Sequence, residues 1–365
     1  MSESDLILGI VVATALAFDF TNGFHDTANV VATSISTRAM SPRIAVGYAA
    51  MLNFAGAFIS LQVAATVAND VVDPLAITTT VIFAGLIGAI TWNLITWYFG
   101  LPSSSSHALI GGVVGATFVA AGADAVLGDG ILGKVLIPAL IAPVLAFVIG
   151  VLAITICYGI LGRQRPGPVT RGFRFGQVIS GGLLALAHGT NDAQKTMGVI
   201  TLALIANGSI ASDAEVPTWV IVSAASAIAL GTYTGGWRII KTMGTRIIKM
   251  DAAQGFSAQG AGAAVILTSS HFGFPLSTTQ VIAGGVMGAG AGKRLSAVRW
   301  GVAGNIVVAW LLTLPAAAAI GGLTYVVTDV FPGVVGPLLV SLVGLGLAAA
   351  AFVRRVRHGE PVPAA

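Results

Sequence analysis

Asn22-Gly23-Phe24-His25-Asp26-Thr27-Ala28-Asn29 sets polar side chains in the middle of an otherwise apolar stretch that runs from about residue 5 to 37. The pattern returns as His188-Gly189-Thr190-Asn191-Asp192-Ala193-Gln194-Lys195, an offset of 166 (22 to 188), inside the apolar stretch 175–206. A second motif repeats in the same way. Pro102-Ser103-Ser104-Ser105-Ser106-His107, followed by Gly111, Gly112 and Gly115, is matched by Pro275-Leu276-Ser277-Thr278-Thr279-Gln280, followed by Gly284, Gly285 and Gly288. That offset is 173 (102 to 275), so one unit of about 150 residues occurs twice with its polar centres in the same order. Polar centres held at depth in two halves are the arrangement of a secondary transporter.

Composition sets the solvent. Charged residues make up 9% of the 365 and hydrophobic ones 56%, with a mean hydropathy of +0.91. Soluble domains carry about 25% charged residues. The chain therefore reads as an all-α polytopic membrane protein, and the out-and-in alternation of a β-barrel is missing. The net charge of +4 does not point to nucleic acid, because the basic residues sit in short loops between apolar runs. Cys157 is the only cysteine, so no structural disulfide forms. Residues 6–21 lack a preceding basic region and a convincing cleavage site, and read as a retained membrane helix.

Eleven apolar stretches lie at roughly 5–37, 43–68, 75–100, 102–122, 131–162, 175–206, 217–236, 255–272, 275–292, 297–327 and 334–353. About 10–12 transmembrane segments are expected, the hairpin stretches being re-entrant or crossing. If each stretch crosses once, one side collects Arg38 and Arg43, Arg163 to Arg174, Arg238 to Lys249, Lys293 to Arg299, and Arg354 to Arg357. The other collects Asp70, Asp73, Asp124, Asp129, Asp213, Glu215 and Asp329, with Lys134 at one edge. Positive charge marks the cytoplasmic side. This predicts an outside N-terminus, a cytoplasmic C-terminus and a plasma-membrane location. The stretch from 5 then runs inward and its copy from 175 outward, so the halves are inverted-topology repeats. The expected division is a first repeat over 1–163, a cytoplasmic linker at 164–174, a second repeat over 175–327, and an extra helix with a basic tail at 328–365.

The first stretch would span about 50 Å as one straight helix, against a hydrocarbon core of about 30 Å. The expectation is a broken helix, interrupted at Asn22-Gly23 and, in the second half, at His188-Gly189.

Asp26 and Asp192 are matched acids at depth, where a carboxylate costs about 2.5–3.5 kcal/mol. One reading is cation coordination, with Asn22, Asn29 and Asn191 supplying further oxygens. The other is simple capping at a helix start. The hydroxyl clusters Ser104, Ser105, Ser106 and Ser277, Thr278, Thr279 follow prolines that favour helix starts. Helix N-termini offer free N–H groups and partial positive charge, so two such arms suit a tetrahedral oxyanion. Packing between helices is the alternative use of the same hydroxyls.

The strings NGFHDTANVVAT, HGTNDAQKTMG, PSSSSHALIGG and PLSTTQVIAGG closely resemble the inorganic phosphate transporter (Pit) family, over nearly the whole chain. The resemblance implies uptake of inorganic phosphate by symport, through a homodimer of inverted repeats. In that reading the Ser/Thr arms bind phosphate and the Asp/Asn centres bind the coupling cation. Lys195 departs from the sodium-coupled pattern, since it stands where the first half has Asn29 and shares a helical face with Asp192. That resembles the bacterial low-affinity branch, which is proton-coupled and takes phosphate as a metal complex. Asp19, whose counterpart is Ala185, is a candidate proton carrier, with His25 and His188 as a candidate relay. No cofactor is implied beyond a coupling H+ or Na+ and a divalent metal travelling with phosphate. Two rivals stay open: sodium-coupled phosphate or sulfate symport, and an intramembrane hydrolase using Ser105 or Ser106.

Overall fold

Lipid offers no partner to a free peptide group, so a chain of this composition must satisfy its backbone within helices. The computed structural model describes residues 2–331 and 333–357, and its elements of length are helical. The helices are α1 (Glu3–Ser36), α2 (Pro42–Gly56), α3 (Gln62–Asn69), α4 (Thr79–Phe99) and α5 (Ser105–Ala121). A single turn, α6 (Gly128–Gly130), leads through a π-helical stretch into α7 (Ile137–Leu161). The second half begins with α8 (Pro166–Ala206), α9 (Thr218–Thr234) and α10 (Trp237–Lys241). It continues with α11 (Ala252–His271), α12 (Thr278–Lys293), α13 (Trp300–Asp329) and α14 (Val335–Arg357). The tail expected beyond 357 lies outside the described residues.

The interruption expected at Asn22-Gly23 is not there. α1 runs unbroken for 34 residues and α8 for 41. The glycines allow contact between helices instead of bending them. A Cβ on Gly23 would lie 2.4 Å from Ile228 O, and one on Gly189 would lie 2.1 Å from Asn53 O. The excess length is taken up at the ends, where the opening turns of both helices are exposed. Because α8 starts at Pro166, the expected linker 164–174 is mostly its first turns.

The helices that do break are the second ones of each half. α9 and the α10 region meet at 62°, across Gly235 at φ +72° and Gly236, whose Cβ would sit 2.2 Å from Phe24 O. The counterpart break separates α2 from α3. Gln194 Oε1 accepts from Val63 N at 2.8 Å and Ala64 N at 3.2 Å, satisfying the N–H groups this break exposes.

α4 with α5, and α11 with α12, form hairpins that return to the end they started from. An isolated bridge, Val72 to Val126, ties the open end of the first, and Ile248 to Val298 ties the second. Among the described residues, four helices are long and apolar enough to cross a membrane, five if the bent pair counts as one span. A returning hairpin leaves loop sidedness as it was. α1 and α8 pack antiparallel: Thr37 Oγ1 donates to Gln177 at 2.9 Å at one end, Asp26 faces Asp192 at the middle, and Asp19 faces Thr196 beyond it.

Candidate functional site

Ser104 and Ser277 stand at equivalent positions and do equivalent work. Each is an N-cap whose hydroxyl accepts the backbone N–H three residues on, from His107 at 3.1 Å and from Gln280 at 3.3 Å. That starts α5 and α12 at the hairpin tips. The tips meet: Ser106 Oγ donates to Leu276 O at 2.9 Å. Two helix N-termini and their hydroxyls thus share one point, beside the crossing of α1 and α8.

Asp26 lies at that point. Its Oδ2 accepts from Ser105 at 2.8 Å and from Thr278 at 3.3 Å, and its Oδ1 accepts from Thr279 at 3.4 Å. His25 Nδ1 is 2.6 Å from Oδ1, while its Nε2 lies 3.1 Å from Thr96 Oγ1. Asp192 accepts from Thr278 at 3.1 Å and from Lys195 Nζ at 2.5 Å, and His188 Nε2 lies 3.1 Å from it. Lys195 Nζ also donates to Ser106 Oγ at 2.5 Å and Leu276 O at 2.7 Å. Asn29 Nδ2 donates to Thr279 at 2.9 Å and Thr278 at 3.4 Å. Asn191 Nδ2 donates to Ser270 at 2.9 Å and Phe274 O at 3.1 Å, which braces the second hairpin.

Every candidate named from the sequence is 3% exposed or less, and most converge on this point. Asp19 and Asn22 sit to one side. Asp19, Asn22 and Thr196 are buried against one another, and their side-chain polar atoms make no well-aligned hydrogen bond among the described residues. Such groups are costly to leave unpaired, and their oxygens are of the type that a proton or a small hard cation would satisfy. A further trio, Asp26, His188 and Asp192, brings one ligand atom each within 4.8 Å of one another, a donor set suited to a divalent ion. His107 lies beneath the tips, 3.4 Å from its counterpart Gln280.

Sequence reading quoted Ser103 within its motif but gave it no role, and passed over Thr96, which with Ser103 holds the far side of His25, and Ser270, which holds Asn191. No motif marked Thr96 or Ser270. Only their position beside a site residue does.

Of the six hydroxyls at the tips, those of Ser105, Thr278 and Thr279 are bonded to carboxylates, while Ser106 donates to Leu276 O and Ser104 and Ser277 cap their helices. An oxyanion at the tips would compete with Asp26 and Asp192 for the same hydroxyl protons. Breaking the buried Lys195–Asp192 pair from one side would cost about 3–5 kcal/mol.

Comparison with known proteins follows the same lines. The profile of the phosphate transporter family matches residues 22–169 and again 162–321. A protein of Mycobacterium tuberculosis (strain ATCC 25618 / H37Rv) described as "Probable low-affinity inorganic phosphate transporter" is 53% identical over 334 residues, 91% of this chain and 80% of that one. One of the same description from Bacillus subtilis (strain 168) is 45% identical over 327 residues, 89% of this chain and 98% of that one. A solved structure titled "The sodium-dependent phosphate transporter" superimposes with a TM-score of 0.81 at 24% identity, covering 89% of this chain and 100% of that one.

Proposed function

The chain belongs to the phosphate transporter family, and on that premise we propose that it is a proton-coupled symporter carrying inorganic phosphate into the cell across the plasma membrane. The two halves act as inverted repeats, with the N-terminus outside and the C-terminus in the cytoplasm, and the unit is a homodimer. The boundaries are 1–163, 164–174, 175–327 and 328–365. Ser104, Ser105, Ser106, Ser277, Thr278 and Thr279, with the two helix N-termini, hold phosphate. Asp26, Asn29, Asn22, Asn191, Asp192, Lys195 and Asp19 hold the coupling charge, and His25 and His188 relay protons.

The observation that carries this reading is the convergence of both hairpin tips on Asp26 and Asp192, with Ser105 2.8 Å from Asp26 and Thr278 3.1 Å from Asp192. Coupling follows from charge. Each negative charge moved inward against a negative-inside potential costs about 2.3 kcal/mol per 100 mV. A phosphate dianion needs two positive charges for neutrality and a third to be drawn in. Lys195 favours protons over sodium, because its ammonium already sits 2.5 Å from Asp192, where a bound cation would belong. A divalent ion travelling with phosphate would use the Asp26, His188 and Asp192 trio.

The second reading is sodium coupling, favoured by the buried oxygens of Asp19, Asn22 and Thr196, a hard-donor set. Uptake of radiolabelled phosphate into proteoliposomes decides, with proton and sodium gradients imposed separately and Mg2+ present or chelated. Uptake driven by an inward proton gradient without sodium supports the first reading. Uptake that needs sodium and ignores the proton gradient overturns it, and uptake of sulfate in place of phosphate overturns the substrate. Hydrolysis by Ser105 or Ser106 has no place among transporters of this family, and the hydroxyl of each is bonded to Asp26 or to Leu276 O, not to a histidine.

A further inference from the structure

The two halves share a fold but differ in chemistry along the helices leading away from the site. Towards the end that carries Arg174, α1, α8 and α11 are joined by buried polar side chains. Gln259 Nε2 donates to Ser34 Oγ at 2.7 Å, and Ser180 Oγ donates to Gln259 Oε1 at 2.8 Å. Thr37 Oγ1 donates to Gln177 Oε1 at 2.9 Å, and Arg174 Nε closes the series on Thr37 O at 3.1 Å. Nearest the site, the Thr33 hydroxyl is buried with no partner among the described residues. Gln177, Gln259 and Ser34 are 0% exposed.

The repeat offsets locate the same positions on the opposite end. Thr33, Ser34 and Thr37 correspond to Val199, Ile200 and Ala203; Gln177 corresponds to Val11 and Gln259 to Leu86. Those five are apolar and 1% exposed or less. Ser180 corresponds to Thr14, whose hydroxyl donates to Ile10 O of its own helix at 2.7 Å. At these positions the same backbone arrangement is therefore packed with apolar side chains at one end, beyond Asp19 and Thr196, and lined with amides and hydroxyls at the other.

Burying an amide or hydroxyl costs about 1–3 kcal/mol unless each is paired, and the apolar end proves that this fold closes without them. Polar seams of this kind also glue helices in membranes, but glue would serve both ends alike. Neutral donors that bond one another when shut can bond water and an oxyanion when open, and release it without a strong trap.

We propose that the α1–α8–α11 seam is the route by which phosphate passes between the central site and the side of the basic loops, with Ser34, Thr37, Gln177 and Gln259 lining it. The proposal rests on the phosphate-transport reading and extends it from the site to the path. The opposite seam, of Val11, Leu86, Val199 and Ile200, parts as an apolar seal.

The test uses the full-length chain with Cys157→Ala, which removes its one cysteine. Single variants Ser34→Cys and Thr37→Cys are compared with their counterparts Ile200→Cys and Ala203→Cys, all small or near-isosteric changes. Inverted and right-side-out vesicles are exposed to a membrane-impermeant cationic methanethiosulfonate during phosphate turnover. Expected is labelling of Ser34→Cys and Thr37→Cys from the basic-loop side, at least about tenfold faster than their counterparts from either side. A joint Gln177→Leu and Gln259→Leu variant should exchange phosphate at least about tenfold more slowly while equilibrium binding persists. Equal labelling of the two seams, or faster labelling of the apolar one, overturns the proposal. Failure of the unsubstituted chain to take up phosphate would count against the substrate reading, whereas equal labelling of the two seams in a Cys157→Ala parent that does take up phosphate counts against the route alone.

Discussion

Asn29 and Lys195 occupy equivalent positions in the two halves and make equivalent bonds across the centre. Asn29 Nδ2 donates to Thr279 at 2.9 Å, and Lys195 Nζ donates to Ser106, the counterpart of Thr279, at 2.5 Å. The geometry is symmetric while the charge is not. The first half places a neutral amide where the second places an ammonium on a four-carbon stem; under the proposed function that ammonium stands in for a loose cation.

Lys195→Asn should restore chemical symmetry and leave Asp192 without its ammonium. Stability in sodium-free buffer should fall by about 3–5 kcal/mol, the cost of orphaning a buried charge. Added sodium should recover part of that loss and begin to stimulate phosphate uptake. Thermal melting and uptake as a function of sodium concentration check this. No response to sodium in either would refute the tethered-cation account.

Asp26→Asn and Asp192→Asn should differ in severity. An amide at 26 still accepts from Ser105 and Thr278, so phosphate binding should persist while the pH dependence of uptake flattens. An amide at 192 leaves Lys195 buried with its charge unpaired, which adds a stability loss of about 3–5 kcal/mol. Isothermal binding, pH-dependent uptake and melting measured on both variants separate the two. Unchanged coupling in both would remove the acids from the mechanism.

Gly23→Ala and Gly189→Ala should each force two helices apart, since the new Cβ would meet Ile228 O at 2.4 Å or Asn53 O at 2.1 Å. Overpacking of this kind costs about 1–3 kcal/mol. Gly9→Ala, on the same helix as Gly23 with nothing within 4 Å, is the control and should melt no lower than the parent. Were the glycines helix breaks, as the sequence suggests, alanine would slow transport and spare the melting temperature.

Asp251, capping α11 outside the span, gives a pH signature. Burial pushes its carboxyl up, but hydrogen bonds from Tyr158 OH at 2.6 Å, Gln254 N at 2.9 Å and Lys293 Nζ at 2.9 Å outweigh this and hold it below the usual carboxylate range. A depressed carboxyl stabilises the folded state above its unfolded value of about 3.9 and loses that contribution as pH falls through the folded value. Melting temperature should therefore drop on acidification below about pH 4, and Asp251→Asn should blunt the drop. An identical acid limb in the variant would show that the carboxylate carries no such linkage.

The duplication, the order of the polar centres and the helical hairpins were legible in the chain, because each is written in residues close together in sequence. Polar residues in apolar runs have few explanations in lipid, and two copies at matching offsets leave fewer. Helix starts at Ser104 and Ser277 were likewise local, since a cap acts on the next turn.

The location of the breaks was not legible. Glycine beside a polar residue serves a hinge and a close contact equally well, and only Ile228 O and Asn53 O, far along the chain, decide between them. The same holds for Lys195. Sequence spacing put it beside Asp192, but its reach to Ser106 and Leu276 O depends on two hairpin tips meeting. Spacing along one helix is set by covalent geometry, and so the amino-acid order determines it. Contacts between elements more than a hundred residues apart are set by how whole helices pack, which the order of residues constrains only in sum.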